Sequence, residues 1–174
     1  VSLRSLRGVG ASRARVAVEA GSFGTLQGAV SAQGERGPWG YNVALQGGRT
    51  ENDRVNNTFE SGNVTVRLDR AVNERLSLGA TLRGFEAAYG SPGTRFANDP
   101  DNTERESNWL GTIFADWQHA DRWASHIVLG GQRRRFESEN PSAGRATQVT
   151  LVKNRRAVLD WQSTYYSRFN RKDW

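Results

Sequence analysis

Cysteine and methionine are both absent from this chain. The first absence excludes disulfides and thiolate chemistry and leaves the redox compartment unmarked. Long apolar runs are missing too: no stretch reaches the length of a membrane-spanning helix, and no secretory signal is written into these residues. That excludes a helical membrane protein but not a membrane β-barrel, whose apolar residues are diluted by alternation. Hydrophobic residues make up only 36% of the chain and mean hydropathy is −0.69, which is thin for an ordinary globular core. A chain that lacks methionine and starts on Val1 reads as a processed protein or a piece of a larger one.

Against these absences stand 19 glycines and 6 tryptophans in 174 residues. The length suffices for one domain with a sizeable core, or at most two small ones. The aromatic content argues against disorder and leaves a β-protein that buries one face of each strand. Lys and Arg outnumber Asp and Glu by 24 to 18, a formal charge of +6. A nucleic-acid face would cluster those cations. Here they are scattered, and the densest run, Arg133 to Arg135, is followed at once by Glu137 and Glu139, so no nucleic-acid partner is expected.

The hydrophobic period is two almost everywhere. Val16, Val18 and Ala20 oppose Ala17 and Glu19; Leu26, Gly28, Val30 and Ala32 oppose Gln27, Ser31 and Gln33. The alternation continues through Tyr41, Val43 and Leu45, through Val64, Val66 and Leu68, and through Leu76, Leu78, Ala80 and Leu82. It resumes with Trp109, Gly111, Ile113, Ala115 and Trp117, then Trp123, Ile127 and Leu129, and ends with Ala157, Leu159, Trp161 and Tyr165. The pattern predicts about eight strands in an antiparallel meander, an all-β fold, with no stretch of clean helical period.

The connections discriminate further. ERGPWG (35–40), RAVNER (70–75) and HADRW (119–123) read as short turns; 50–62, 90–107 and 136–154 read as long polar loops alternating with them. The two ends of a soluble sandwich are equivalent, whereas a transmembrane barrel has tight turns on one side and extended loops on the other. Trp39 with Tyr41, Trp117 with Trp123, and Trp161 with Tyr165 fall near the tight-turn ends, where an aromatic girdle meets lipid headgroups. A sheet can span hydrocarbon only if it closes and pairs every backbone group. The Gln, Asn, Arg, Glu and His residues of the opposite face would then line a wet or plugged lumen. A soluble barrel would invert the two faces, and alternation alone does not choose between them.

VSLRSLRGVGASRARVAVEAGSFGT (1–25), YNVALQGGRTENDRVNNTFESGNVTVRLD (41–69), SPGTRFANDPDN (91–102) and LDWQSTYY (159–166) resemble segments of the TonB-dependent outer-membrane receptors, in particular the cobalamin-receptor-like branch. Val1, Leu3, Leu6, Arg7 and Gly8 match the end of that family's plug domain. The resemblance implies that residues 1–13 close a plug and link it to a barrel, and that 14–174 form the N-terminal part of that barrel. About fourteen of the family's twenty-two strands and nearly all of the plug would lie outside this sequence, and NRKDW lacks the alternating run expected before a final barrel strand.

For function, the resemblance implies active uptake of a scarce ligand, such as a cobalamin or a ferric siderophore, across the outer membrane. The partners implied are outer-membrane lipid, the TonB energy-coupling complex and the small-molecule ligand, with no covalent chemistry and no cofactor. The residues agree on that last point: no serine, histidine and acid group in sequence, and His119 and His126 are not expected to be ligands. His119 is placed in a tight turn and His126 on a polar strand face. Asp99 and Asp101, with Asn98 and Asn102, offer oxygens of the kind calcium takes, but without EF-hand spacing, in a segment whose composition any exposed turn prefers. GVG at 8–10 is no dinucleotide fingerprint. The ligand-binding residues are not readable. Two alternatives stand beside the receptor: a self-contained eight-stranded outer-membrane barrel with a structural or adhesion role, and a soluble lipocalin-like carrier.

Overall fold

The computed structural model describes residues 6–94, 96–141 and 146–167. Ten strands are formed: β1 (Arg13–Ala20), β2 (Leu26–Arg36), β3 (Trp39–Thr50), β4 (Phe59–Asn73), β5 (Leu76–Gly90), β6 (Gly93–Thr94), β7 (Ala97–Asn98), β8 (Thr103–Ala120), β9 (Trp123–Asn140) and β10 (Gln148–Tyr165). Eight of them make one antiparallel sheet in the order β1-β2-β3-β4-β5-β8-β9-β10, while β6 and β7 form a separate two-stranded ribbon. Every neighbour in the sheet is a sequence neighbour once that ribbon is set aside. The fold is therefore an open meander, with β1 and β10 as its edges among the described residues.

Turn chemistry sets the register. Three two-residue connections, Gly37-Pro38, Glu74-Arg75 and Asp121-Arg122, lie at one end of the sheet. Gly37 takes a φ of 57° at the first central position, as a type II′ hairpin requires, and Asn73 Oδ1 accepts the Arg75 N–H at 2.9 Å. Each turn also bonds the next hairpin: Ala71 N–H to Pro38 O, Gln118 N–H to Arg75 O and Tyr166 N–H to Arg122 O, at 2.9, 2.7 and 2.8 Å. The hairpins are thereby stepped along the sheet. The remaining connections leave β1, β3, β5 and β9 at the other end, after Ala20, Thr50, Gly90 and Asn140.

One expectation about the connections is corrected. Much of the polar sequence assigned to long loops is strand: Phe59–Gly62, Thr103–Ser107, Phe136–Asn140 and Gln148–Asn154 all belong to the ladder. The β1–β2 connection, carrying Gly21 and Gly24, lies at the same end as the longer connections.

No core is enclosed. Ala87 is the only buried hydrophobic residue among those described, and the chain exposes 13516 Å², against about 8,500 Å² expected for a compact protein of this mass. The sheet is one layer thick, and both its faces await a solvent or a partner.

Candidate functional site: two faces and a loop layer

Directly opposed residues share a face, so the register sorts the whole sheet. Val16, Val30, Leu45, Val64, Gly84 and Trp109 form one continuous row across six strands, and Ala32, Val43, Val66, Leu82 and Gly111 form the next. All the strand residues that alternation predicts to be apolar fall on this one face. Val18, Ile113 and Leu159 on it are 74%, 57% and 73% exposed. The patch is far wider than the few hundred Å² that a soluble monomer tolerates.

The apolar face has two edges, and both lie lower on β10 than on β3. Its first charged residue toward the loop end is Arg49 on β3, in register through Glu60, Ala88, Arg105 and Glu137 with Leu151 on β10. On β10 the first charge is Arg155, four residues nearer the short turns. Between those strands the first charge toward the loop end is Glu60 on β4 and Arg105 on β8, in the row of Arg49, and Glu86 on β5 and Arg133 on β9, two and four residues inside it. At the opposite edge Trp39 on β3 is in register with Trp161 on β10, and the last aromatic there is Tyr165, again four residues further down. Four residues over five strand spacings is a slant of about 30° to the perpendicular of the strands. Ten residues separate Trp39 from Arg49 and ten separate Arg155 from Tyr165. Corrected for the slant, that is a band roughly 29 Å tall.

The aromatic edge is built as well as placed. Trp39, Tyr41, Trp117, Trp123, Trp161 and Tyr165 all lie on the apolar face at the short-turn end. The Arg70 guanidinium lies 5.0 Å from the centre of the Trp39 ring. A register shift between Gln118 and Ala120 puts His119 at a bulge within β8 rather than in the turn that the sequence suggested. There its ring lies 4.2 Å from that of Trp117 and 4.4 Å from that of Trp123. His119 Nε2 meets Ser125 Oγ at 2.8 Å, and Trp123 Nε1 donates to Ser163 Oγ at 2.8 Å. Sequence spacing gave no sign of this serine–histidine pair. No carboxylate partner orients His119 among the described residues, so the pair lacks the third group that would make its hydroxyl a nucleophile.

The other face carries specific polar contacts. Arg67 grips Asp69 through Nε and Nη2 at 2.8 and 2.7 Å and lies 5.1 Å from the centre of the Phe114 ring. That ring covers Gly79, where any Cβ would strike it. His126, on this face as its alternation suggests, faces Phe114 at 6.3 Å and pairs with Asp116 through Nδ1 at 2.7 Å. Gln132 donates to Asn108 at 2.9 Å. The segment before β1 bends onto the same face: Gly8 is buried, with its carbonyl over Gly40 and its α-carbon against the Tyr41 and Gly34 carbonyls, so that a side chain at position 8 or 40 would collide with backbone.

At the loop end, 51–58 docks on 91–102. Asn56, at a φ of 54°, donates to the Asp99 and Asn102 carbonyls at 3.0 and 2.8 Å, and Arg54 reaches Asn98 Oδ1 at 3.0 Å. Asp99 ties this layer to β9 by accepting from Asn140 Nδ2 at 2.7 Å. Its other oxygen accepts the Asp101 and Asn102 N–H groups at 3.3 and 3.0 Å. Desolvation works against the charged form of Asp99, but those donors outweigh it and hold the carboxyl below its ordinary range, whereas Asp101, desolvated beside Asp99, is pushed up. The oxygens that looked available to calcium are thus turned toward N–H donors, and no cluster of three or more His, Cys, Asp or Glu residues suited to a metal occurs among the described residues.

Comparison with known proteins finds no matching family model, no matching curated protein and no matching solved structure.

Proposed function

We propose that this sheet is part of the wall of an outer-membrane β-barrel, with the apolar face toward lipid and the polar face toward the lumen. The observation that carries the reading is the apolar band whose two edges shift alike from β3 to β10. A membrane is flat while barrel strands cross it tilted by about 35–45°, so its footprint on an unrolled sheet is a slanted stripe of constant height, about 25–30 Å. Arg49 to Trp39 and Arg155 to Tyr165 trace such a stripe. The aromatic row at the short-turn end supplies the girdle that the stripe needs.

The unpaired edges of β1 and β10 favour a barrel of more than eight strands, and the passage of Gly8 over Gly40 favours an upstream segment that enters on the lumen side. Within this reading we place the chain in a TonB-dependent receptor that takes up a scarce ligand such as a cobalamin or ferric siderophore. Binding and gated passage, without bond chemistry, would be its work, with TonB as the energy-coupling partner.

A second reading draws on the strand count. Eight strands are enough to close the smallest membrane barrels and the soluble carriers. Closure requires β1 to pair with β10, which a cysteine at Val16 combined in turn with one at Leu159, Trp161 or Ser163, all on the same face, would report by cross-linking.

The cysteine-free background makes the main test direct. Single spin-labelled cysteines at Leu45, Leu82 and Ile113 in bilayer-reconstituted protein should be accessible to oxygen and shielded from a water-soluble nickel chelate, with Ala44, Thr81 and Thr112 the reverse. A chain that folds in water without detergent, or labels lacking this alternation, would overturn the membrane reading. Uptake of cobalamin and of iron chelates by cells carrying the full reading frame tests the receptor assignment separately.

A further inference from the structure

Just above the apolar band, on the same face, β9 and β10 place like charges directly opposite each other twice in succession. Arg133 faces Arg155, and two residues further up Arg135 faces Lys153. Directly opposed like charges destabilise a sheet. Two adjacent pairs double that cost, and the protein does little to neutralise them. Arg135 reaches Glu137 at 2.7 Å, while Arg133, Lys153 and Arg155 form no ion pair with any described residue. On β8, Trp109 lies directly opposite Arg133. Cations and an indole at one level, one step above an apolar stripe, match the layering of a lipid headgroup over its acyl chains.

We propose that Arg133, Arg135, Lys153 and Arg155 bind the phosphate of an anionic lipid headgroup on the outside of the sheet. The proposal rests on the membrane reading above and adds selectivity to it: the lipid beside β9 and β10 is a chosen one. Arg133 and Arg155 offer planar forks that suit phosphate oxygens, and an anion set between directly opposed cations offsets their repulsion. Elsewhere the band's upper edge alternates in sign, with Arg49 opposite Glu60 and Arg105 opposite Glu137, so those positions neutralise themselves and need no ligand.

The test uses the whole chain in neutral detergent, examined by native mass spectrometry with phosphatidylglycerol, phosphatidylcholine or inorganic phosphate, and in bilayers containing brominated forms of either lipid. Wild type should retain phosphatidylglycerol in preference to phosphatidylcholine, and the Arg133→Gln/Arg155→Gln pair should weaken that retention roughly thirtyfold. Arg133→Lys/Arg155→Lys should keep most of it, which separates lost charge from lost fold. Arg13→Gln/Arg15→Gln, on the opposite face, should leave it unchanged. Equal quenching of tryptophan by both brominated lipids, with no preference in retention, would overturn the headgroup site while leaving the membrane reading intact. No quenching by either would overturn both. Displacement of bound lipid by inorganic phosphate at comparable concentration would make the site one for a free anion, and equal loss in the Arg13/Arg15 control would reduce it to unspecific charge.

Discussion

The two faces of the sheet are made from the same strands, yet they behave as different materials. The apolar face carries many exposed Val, Leu, Ile and Trp side chains and keeps its directional contacts to its margins, at the aromatic edge and where Trp109 Nε1 donates to Glu86 at 3.2 Å. The polar face carries Arg67 locked on Asp69, Phe114 laid on Gly79 and His126 paired with Asp116. A surface without directional contacts suits a fluid, interchangeable neighbour, while one built of bidentate pairs and glycine seats suits a fixed neighbour in one position. Burial separates them too: Asp69 on the polar face is 5% exposed, whereas Leu45 on the apolar face is 51% exposed.

The largest break in that contrast comes from placing one charge at the same depth on each face. Leu45 and Ala44 are neighbours near the middle of the band and point to opposite sides. Leu45→Arg should cost about 2–4 kcal/mol in a bilayer, the penalty for a cation at the midplane, while Ala44→Arg should cost under about 1 kcal/mol. Denaturant unfolding of bilayer-reconstituted protein reads both. Equal costs would mean that the two faces meet the same medium.

That contrast was legible in the sequence because alternation has only two outcomes per strand, and Val16, Val43 and Leu82 commit each strand to one of them. The stripe was not legible. Its slant depends on how β3 is registered against β10, and the register comes from turn bonds such as Ala71 N–H to Pro38 O and from bulges at 71–73 and 118–120 that no composition marks. Loop lengths were overread for a related reason. Thr103–Ser107 and Phe136–Asn140 are strand above the band, where charge on both faces looks like loop to any hydropathy argument. Asp99 was visible as an acidic loop residue, but its partner Asn140 lies 41 residues away, and only the fold shows that the carboxylate is already spoken for.

On the polar face the next largest effect should follow from Asp69→Ala. It removes the two hydrogen bonds from Arg67 Nε and Nη2 to the Asp69 carboxylate, and the Arg67 side chain is only 18% exposed. Loss of a partner from so enclosed a pair should cost about 2 kcal/mol. Asp69→Asn keeps an acceptor and should recover about half. The same denaturant series measures both, and a cost below about 0.5 kcal/mol would show that the polar face gains little from this pair.

At the aromatic edge the two faces' chemistries meet, and the expected effect is smaller. Arg70→Gln removes the cation above Trp39 and should cost about 0.5–1 kcal/mol, the range for an exposed cation–π contact. Trp39→Phe in the same background should then add no further loss from that contact. If the double substitution costs the sum of the singles, the ring and the guanidinium act independently, and the edge is held by headgroup contacts alone.

The loop layer belongs to neither face, and acid should unpick it while leaving both intact. The carboxyl of Asp99 is held below the ordinary 3.8 by the N–H groups of Asp101 and Asn102 and by Asn140, against an opposing desolvation. A lowered carboxyl stabilises its contacts fully above the unfolded value, and that stabilisation is lost as pH falls through the folded one. The docking of 91–102 on β9 should therefore persist down to about that ordinary value and loosen only below it. Amide exchange at Asp101 and Asn102, corrected for intrinsic acid dependence, should rise there, with exchange in the band of β3 to β5 unaffected. Asp99→Asn keeps the acceptor oxygen without the charge and should abolish the transition. A transition that survives in that variant would assign the acid sensitivity to Asp101, whose carboxyl is raised and titrates at higher pH, and would leave Asp99 a purely geometric cap.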